Sequence, residues 1–366
     1  MYSERFGVLK KRQNLTDRNG NTPVQSEGMF KSAPQCQRTL GMGPRWLSST
    51  NKACVYAITC PGQGIIKDGL LVPYAKFQHH FQDSLEIIDE SLNEKFSDKL
   101  LNNQVGFGKE WLIHTSNAQP AILATTYIIC EIIRKEYGID LPQNDKVKFL
   151  LGHSLGEYTA LLLAGVLDLT GAIRLVRERG RLMEELVTNN DYSMVALMFK
   201  PSFFSEILLM SQEAEVLANV NSYQQIVLSG KSSKIDKTVA EINSESKKIL
   251  KTVKLPVKIP FHNTILHEVE PKLSQLATPL QKPTKPIVAN LHGEVSPDPF
   301  TSTIRANSKP VQWTKSMEYL VANNVTDVIN LGPGDVLQGL NSKFKVRNYS
   351  VDSVESMNEL QNLFSA

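Results

Sequence analysis

The sequence has few cysteines, no long apolar run and little net charge. Its cysteines form no CxxC pair and have no metal-ligand spacing, which predicts free thiols and no metal site. No apolar run approaches the roughly 18 residues of a membrane span. A formal charge of +3 is too small for a nucleic-acid-binding face. The composition indicates an ordinary globular protein of one large domain, or of one large and one small domain. The four cysteines are Cys36, Cys54, Cys60 and Cys130.

Acidic residues are absent from Met29 to Lys67, although lysine and arginine recur there. A basic, Ser/Thr-bearing segment without acids is typical of a mitochondrial transit peptide. We therefore expect residues 1–52 to be a leader and the protein to reach the mitochondrial matrix. A merely disordered tail is the alternative. Met29 is a candidate start, because the residues before it include Glu4, Asp17 and Glu27.

Two segments indicate an α/β fold. The run ACVYAIT (53–59) is β-branched and aromatic, and the turn CPGQG follows it. The run KVKFLLG (146–152) leads through a sharp turn into the apolar segment LGEYTALLLAGVL. Strand, turn and helix together predict an α/β-hydrolase-like large domain with a parallel sheet core and helices on both faces. We assign it to residues 53–190 and 257–366.

The middle of the chain has a different pattern. Four short strand-like runs, at 193–199, 216–222, 224–230 and 249–257, alternate with two segments of helical spacing. The order βαββαβ is the ferredoxin-like arrangement. We therefore predict an inserted ferredoxin-like small domain over residues 191–256.

The sequence Gly152-His153-Ser154-Leu155-Gly156 is a GxSxG between a strand and a helix. A serine at such an elbow is exposed above the sheet, and the helix N-terminus directs N–H groups at developing negative charge. Ser154 is the candidate nucleophile.

A serine nucleophile requires a base, and seven histidines are available. His153 should point away from the serine, and the adjacent pair His79 and His80 fits a solvated helix. His262 follows a strand and a proline, which places it at a strand end. It is the best candidate among several.

Arg179 lies on the apolar stripe of a helix that includes Leu175, Val176 and Met183. A guanidinium that faces a core is costly unless an anion meets it. The anion could be the carboxylate of a substrate. A snorkelling side chain, or an internal pair with Glu184, is the alternative.

The chain resembles the malonyl-CoA:acyl carrier protein transacylases, because GHSLGE is followed by an Arg-Gly pair whose arginine lies 25 residues beyond the serine. The resemblance covers residues 54–345, and five further motifs occur in the same order. They are PGQG (61–64), NAQPAILA (117–124), IPFH (259–262), PVQWTKS (310–316) and GPGDVLQGL (332–340).

The resemblance implies a role for each matched residue. Ser154 would attack the thioester of malonyl-CoA and His262 would act as its base, oriented by a carbonyl at Gln312. The backbone N–H groups of Gln63 and Leu155 would form the oxyanion hole. Arg179 would hold the malonyl carboxylate, and Phe261 would contact the acyl group. The acceptor would be the phosphopantetheine thiol of an acidic acyl carrier protein, and the enzyme would need no bound cofactor and no metal. It would be a stand-alone, mitochondrial type that acts as a monomer in fatty acid synthesis.

Two other classes of function fit parts of the sequence. A hydrolase of α/β-hydrolase type would order its triad as Ser, acid, His, and no acidic third member accompanies His262 here. A catalytically dead binding module would have lost Ser154, His262 or Arg179, and all three are present. A domain from a large synthase is disfavoured by the leader and by the short tail after residue 340.

The leader assignment predicts that residues 29–52, fused to a fluorescent protein, carry it into mitochondria. A basic segment without acids is favoured by a negative-inside membrane potential. The measurement is co-localisation with a mitochondrial dye, and fluorescence confined to the cytosol would contradict the assignment.

Overall fold

The computed structural model describes residues 54–65, 67–188 and 191–364. They all belong to one compact unit. The predicted leader lies outside the described residues.

Ten strands form two sheets. The larger sheet has the order β10-β9-β1-β2-β7-β8, in which every neighbouring pair is parallel except β7 and β8. The smaller sheet has the order β4-β5-β3-β6, and all its pairs are antiparallel. The strands are β1 Tyr56–Cys60, β2 Val147–Gly152, β3 Tyr192–Phe199, β4 Leu217–Ser222, β5 Gln225–Lys231, β6 Ile249–Lys254, β7 Ile287–Ala289, β8 Glu294–Val295, β9 Asp327–Leu331 and β10 Arg347–Val351.

Thirteen α-helices occur in the described ranges, and none of them is long and apolar enough to cross a membrane. They are α1 Gln78–Leu92, α2 Phe96–Leu100, α3 Phe107–Trp111, α4 Thr115–Tyr137, α5 Leu155–Leu163, α6 Leu169–Leu186, α7 Phe204–Glu213, α8 Ser232–Ile242, α9 Val269–Leu276, α10 Pro299–Arg305, α11 Trp313–Ala322, α12 Val336–Asn341 and α13 Val354–Phe364.

Helices cover both faces of the larger sheet, as the sequence predicts. All five residues of β1 are buried. Because side chains alternate along a strand, Ile58 packs into the core formed with α1, α4, α5 and α6. Ala57 packs on the opposite face, with Trp313 and Met317 of α11. Burial on both faces explains why the central strands of this sheet are nearly continuous apolar runs.

The smaller sheet confirms the predicted ferredoxin-like order. Helices α7 and α8 cover one of its faces, where Leu197, Ile226 and Ile235 share a core. The alternate residues Met194 and Ala196 point to the other face, toward the larger sheet's core. All four strands lie within 191–256. The exact division into domains stays a prediction, because both sheets belong to one compact unit.

Helices α4 and α6 pack closely at Gly180, the glycine of the Arg-Gly motif. A Cβ added there would lie 2.4 Å from Cα of Ser116, which is backbone of α4 and cannot rotate away. Glycine thus lets α6 approach α4 closely, which places the preceding Arg179 deep in the protein interior.

We expect Gly180→Ala to lower the free energy of unfolding by about 1–3 kcal/mol, as overpacking of a close contact does. Gly339→Ala is the matched control. Gly339 is also helical, but no atom lies within 4 Å of the added Cβ, so alanine should be neutral or stabilise by up to about 1 kcal/mol. Urea unfolding of both variants checks this, and equal stabilities would contradict the close contact.

Candidate active site

A cleft of about 280 Å³ lies between the larger sheet and the smaller one. One wall comes from loops at the carboxyl ends of β1, β2 and β9, where open α/β sheets place their ligands. The other wall is the face of the smaller sheet that α7 and α8 leave uncovered. From that face Met194, Ala196, Asn219, Asn221, Gln225 and Val227 line the cleft.

Ser154 lies in the turn between β2 and α5, and it lines the cleft. Its φ of 54° and ψ of −111° form a strained conformation for a residue with a Cβ. The flanking glycines permit the turn, because a Cβ on Gly152 would lie 1.9 Å from the carbonyl carbon of Gly156. A Cβ on Gly156 would lie 2.0 Å from the carbonyl oxygen of Cys60. Strand β1, the turn and the start of α5 therefore touch through backbone alone.

Asn290, directly after β7, forms hydrogen bonds to both sides of this turn. Its Oδ1 accepts a hydrogen bond from the Ser154 backbone N–H at 2.8 Å, and its Nδ2 donates to the Gly152 carbonyl at 2.6 Å. Its own backbone N–H donates to Glu157 Oε1 at 3.2 Å. No sequence pattern points to Asn290, because it is a single amide 136 residues from the serine.

His262 is in hydrogen-bond contact with the serine, since its Nε2 lies 2.7 Å from Ser154 Oγ. Its Nδ1 lies 2.9 Å from the Ala306 carbonyl oxygen and 3.2 Å from that of Lys309. Carbonyls only accept hydrogen bonds, so Nδ1 carries the proton and Nε2 is free to accept the serine hydroxyl. Like Ser154, His262 has a positive φ, of 60°.

Burial, and next the positive charge of Arg179, lower the pKa of His262 to about 3. The imidazole is therefore neutral at physiological pH, which is the protonation state that a general base requires.

The prediction that Gln312 orients the base is wrong. Gln312 is the N-cap of α11, where its Nε2 reaches the Pro310 carbonyl at 3.5 Å and its backbone N–H donates to the Asn290 carbonyl at 2.9 Å. The 3₁₀ turn Ala306–Ser308 ends the preceding helix and directs main-chain carbonyls at the ring instead. Gln312 supports the site through Asn290, not through His262.

The two residues of the predicted oxyanion hole lie beside the serine. Leu155 is the first residue of α5, and N–H groups of a first helical turn have no partner within the helix. Gln63 lines the cleft in the loop after β1, and its Oε1 accepts a hydrogen bond from Thr115 Oγ1. Their role stays a prediction.

Arg179 reaches the same cleft from α6 and is 2% exposed. Its Nε donates to Asn307 Oδ1 and its Nη1 to Gln119 Oε1, both at 2.7 Å, and the guanidinium carbon lies 5.2 Å from the centre of the Tyr158 ring. All of these partners are neutral. No sequence pattern points to Gln119 or Asn307, which lie 60 and 128 residues from Arg179 along the chain.

The alternative pairing of Arg179 with Glu184 is wrong. Glu184 Oε1 accepts instead from the Ser116 backbone N–H at 3.0 Å. Glu157 is a carboxyl whose charge would act on Arg179. Its burial raises its pKa to about 8, so it is mostly uncharged at pH 7. Within the described ranges no carboxylate forms an ion pair with Arg179, whose charge faces the cleft unmatched.

Phe261 and His153, which the sequence also brings into question, both lie at the cleft. Phe261 precedes the base, is 8% exposed and lines the cleft. His153 turns toward the smaller sheet, where its Nε2 lies 3.1 Å from Asn221 Oδ1, and its ring packs edge-on against Trp313. The cleft thus brings together a serine, a neutral imidazole and an unmatched guanidinium, which suits acyl transfer from an anionic acyl donor.

Comparison with known proteins agrees with this chemistry. Residues 58–333 match the Acyl transferase domain family. The chain is 30% identical over 306 residues to the malonyl CoA-acyl carrier protein transacylase of Escherichia coli K12, a match that covers 79% of this chain and 92% of that enzyme.

Solved structures share the fold. The acyl-carrier-protein S-malonyltransferase of Bartonella henselae superposes with a TM-score of 0.74 at 30% identity, covering 85% of this chain and all of that one. A malonyl-transacylase in complex with a type II PKS acyl-carrier protein superposes with a TM-score of 0.73 at 25% identity, covering 84% and 99%. With the serine, histidine and arginine in one cleft, these matches show that the chain belongs to the acyl transferase family, among the relatives of the malonyl-CoA:acyl carrier protein transacylases.

Proposed function

We propose that this enzyme transfers a malonyl group from malonyl-CoA to the phosphopantetheine thiol of a holo-acyl carrier protein, through an ester on Ser154. The observation that carries the proposal is the buried guanidinium of Arg179, which has only neutral hydrogen-bond partners and faces the cleft that contains Ser154 and His262. A malonyl group has a carboxylate that would complete a bidentate pair with it.

In the first half-reaction, Ser154 Oγ attacks the thioester carbonyl while His262 Nε2 takes the hydroxyl proton. The backbone N–H groups of Leu155 and Gln63 would stabilise the negative charge that develops on the carbonyl oxygen. The C–S bond then breaks, and His262 returns the proton to the leaving coenzyme A thiolate. The products are free coenzyme A and the malonyl ester of Ser154.

The second half-reaction runs the same steps in reverse on a different thiol. The phosphopantetheine thiol of the carrier protein gives its proton to His262 and attacks the ester carbonyl. The Ser154 C–O bond breaks, and His262 returns the proton to Ser154 Oγ. One neutral imidazole thus serves both steps, which is a ping-pong mechanism.

We also propose that the enzyme is a stand-alone mitochondrial type that acts as a monomer in fatty acid synthesis. The support for the mitochondrial type is the basic leader pattern before residue 53. The support for the pathway is the similarity to malonyl CoA-acyl carrier protein transacylases.

The lowered pKa of His262 predicts a flat acidic side of the pH profile. With a pKa of about 3 the imidazole stays neutral from pH 7 to pH 5. The neutral fraction of an ordinary histidine, with a pKa of about 6.5, would fall roughly 25-fold over the same range. We expect kcat/KM for malonyl-CoA to change by less than about 3-fold over that range. The readout is radiolabel retained on the polypeptide, with Ser154→Ala as the unlabelled control, and a loss that follows a pKa near 6.5 would contradict it.

The proposed role of Arg179 predicts a change in acyl selectivity. Removing one partner of a desolvated charge pair costs about 2–5 kcal/mol, and about 1.4 kcal/mol is a factor of ten. Arg179→Ala should therefore lower malonyl transfer by about 30-fold or more. Acetyl transfer should be spared, because an acetyl group has no carboxylate.

The quantity to measure is the ratio of kcat/KM for malonyl-CoA to that for acetyl-CoA. Arg181→Ala is the control, since Arg181 is an exposed arginine on the same helix that pairs with Glu178, and it should leave the ratio unchanged. Arg179→Lys keeps the charge without the planar fork and should fall between the two. An unchanged ratio in Arg179→Ala would make that residue structural and remove the main support for a malonyl substrate.

A further inference from the structure

A group of side chains that can bind a metal lies outside the cleft, where the start of α1 meets the end of α4. Its members are His79 and His80, in the first turn of α1, and Glu136, the next-to-last residue of α4. One donor atom from each of the three side chains lies within 4.8 Å of the other two. We call these three residues the histidine cluster. His80 and Glu136 are 56 residues apart along the chain, so the sequence shows no metal-ligand spacing here.

The two imidazole rings lie close together, although helix geometry would normally separate them. Neighbouring residues of a helix point about 100° apart and do not face each other. In α1 the ring centroids of His79 and His80 are nevertheless 4.0 Å apart. The ring of the buried Phe77 stacks on that of His80, with 6.4 Å between centroids, and limits the orientations of this imidazole. Two imidazoles and a carboxylate thus share one small region of the surface.

An ordinary ion pair accounts for only two members of the histidine cluster. His80 Nε2 lies 2.7 Å from Glu136 Oε2, and the two side chains are 18% and 42% exposed. In the part of the chain that the structure describes, His79 forms no hydrogen bond or ion pair with another residue, and its ring contacts only that of His80. A metal ion would bind all three side chains.

We propose that the histidine cluster binds Zn²⁺ and that the ion joins the start of α1 to the end of α4. Two histidines and one carboxylate are a ligand set that proteins use for zinc, with water as the fourth ligand. Imidazole selects zinc and similar transition metals, whereas magnesium and calcium prefer sites made of oxygen alone.

The separations within the histidine cluster suit a tetrahedral ion. Zinc lies about 2.0–2.2 Å from nitrogen and oxygen ligands, which puts the ligand atoms roughly 3.4 Å from one another. The 2.7 Å between His80 and Glu136 is shorter than this value, and the 4.8 Å limit for the whole cluster is longer. His79 and Glu136 are exposed and His80 is half-buried, so small side-chain rotations can cover the difference.

The charges around the histidine cluster permit a dication. Lys135 precedes Glu136, but its ammonium lies 3.5 Å from the carboxylate of Glu131, which matches its charge. The N-terminus of α1 disfavours a cation and the C-terminus of α4 favours one, so the two helix dipoles oppose each other at this place. Metal-bound histidines are neutral, and the carboxylate therefore supplies the one negative charge of the ligand set.

The zinc site would stabilise the fold and take no part in the reaction. No member of the histidine cluster lines the cleft that contains Ser154. Gln119, which binds Arg179, lies on the same helix as Glu136. At 1.5 Å per residue the two are about 25 Å apart along the axis of α4. The ion would tie α1 to the core helix α4 at the end that is remote from the acyl group.

The test measures zinc binding by the full chain after a chelator has removed bound metal. Wild type is compared with His79→Ala and with Glu136→Gln, which removes the charge but keeps an oxygen that can accept a hydrogen bond from His80. The matched control is His267→Ala. His267 is an exposed histidine that pairs with Glu270 and so offers two ligands instead of three. Calorimetric titration with ZnCl₂ gives the affinity, and urea unfolding with and without zinc gives the stability.

We expect wild type and His267→Ala to bind one zinc ion per chain and to unfold at a higher urea concentration when zinc is present. His79→Ala and Glu136→Gln should each bind zinc at least about 10-fold more weakly, since even residues around a metal's direct ligands are worth 10- to 100-fold in affinity. Zinc should no longer raise their unfolding midpoints. Without zinc, His79→Ala should be as stable as wild type.

Three results would overturn the proposal. Wild type that binds no zinc would leave His80 and Glu136 as an ordinary ion pair. Binding that is equally tight in His79→Ala and Glu136→Gln would place the ion elsewhere on the chain. Malonyl loading that falls as zinc binds to wild type would contradict a purely structural ion, whereas loading that is unchanged by saturating zinc would support it.

Discussion

The catalytic cleft depends on one charge that the protein leaves unmatched. Arg179 is buried among neutral groups, with Gln119 and Asn307 as its hydrogen-bond partners and Tyr158 under its guanidinium. Since a desolvated charge is costly without an anion, such a site favours an anionic ligand over a neutral one. The same charge also lowers the pKa of His262. One residue therefore bears on both the choice of acyl group and the protonation state of the base.

Hydrogen bonds that involve backbone groups hold Ser154 and His262 in place. Asn290 bonds both sides of the turn at Ser154, and Gln312 bonds Asn290. His262 is held by main-chain carbonyls instead of a carboxylate. No buried negative charge is needed to orient the imidazole, so the negative charge in the cleft is left for the substrate to supply.

Features encoded by nearby residues could be predicted from the sequence, and features formed by distant neutral groups could not. The turn at Ser154 follows from glycine spacing, the smaller sheet from alternation along short strands, and the burial of Arg179 from the helical stripe on which it lies. The carbonyls that orient His262 have no side-chain signature, and the resemblance to the family points to Gln312 instead. Asn290 is joined to the serine only by the tertiary fold.

Ser154 and His262 both have a positive φ, of 54° and 60°, which glycine would adopt more readily. Each such residue costs about 1–3 kcal/mol, against a typical stability of about 5–15 kcal/mol for a whole domain. The active centre is thus a place where the fold is not at its stability optimum, as is expected where side chains serve catalysis instead of stability. The close-packed glycines and the Asn290 hydrogen bonds beneath the serine are the local packing that makes this trade-off tolerable.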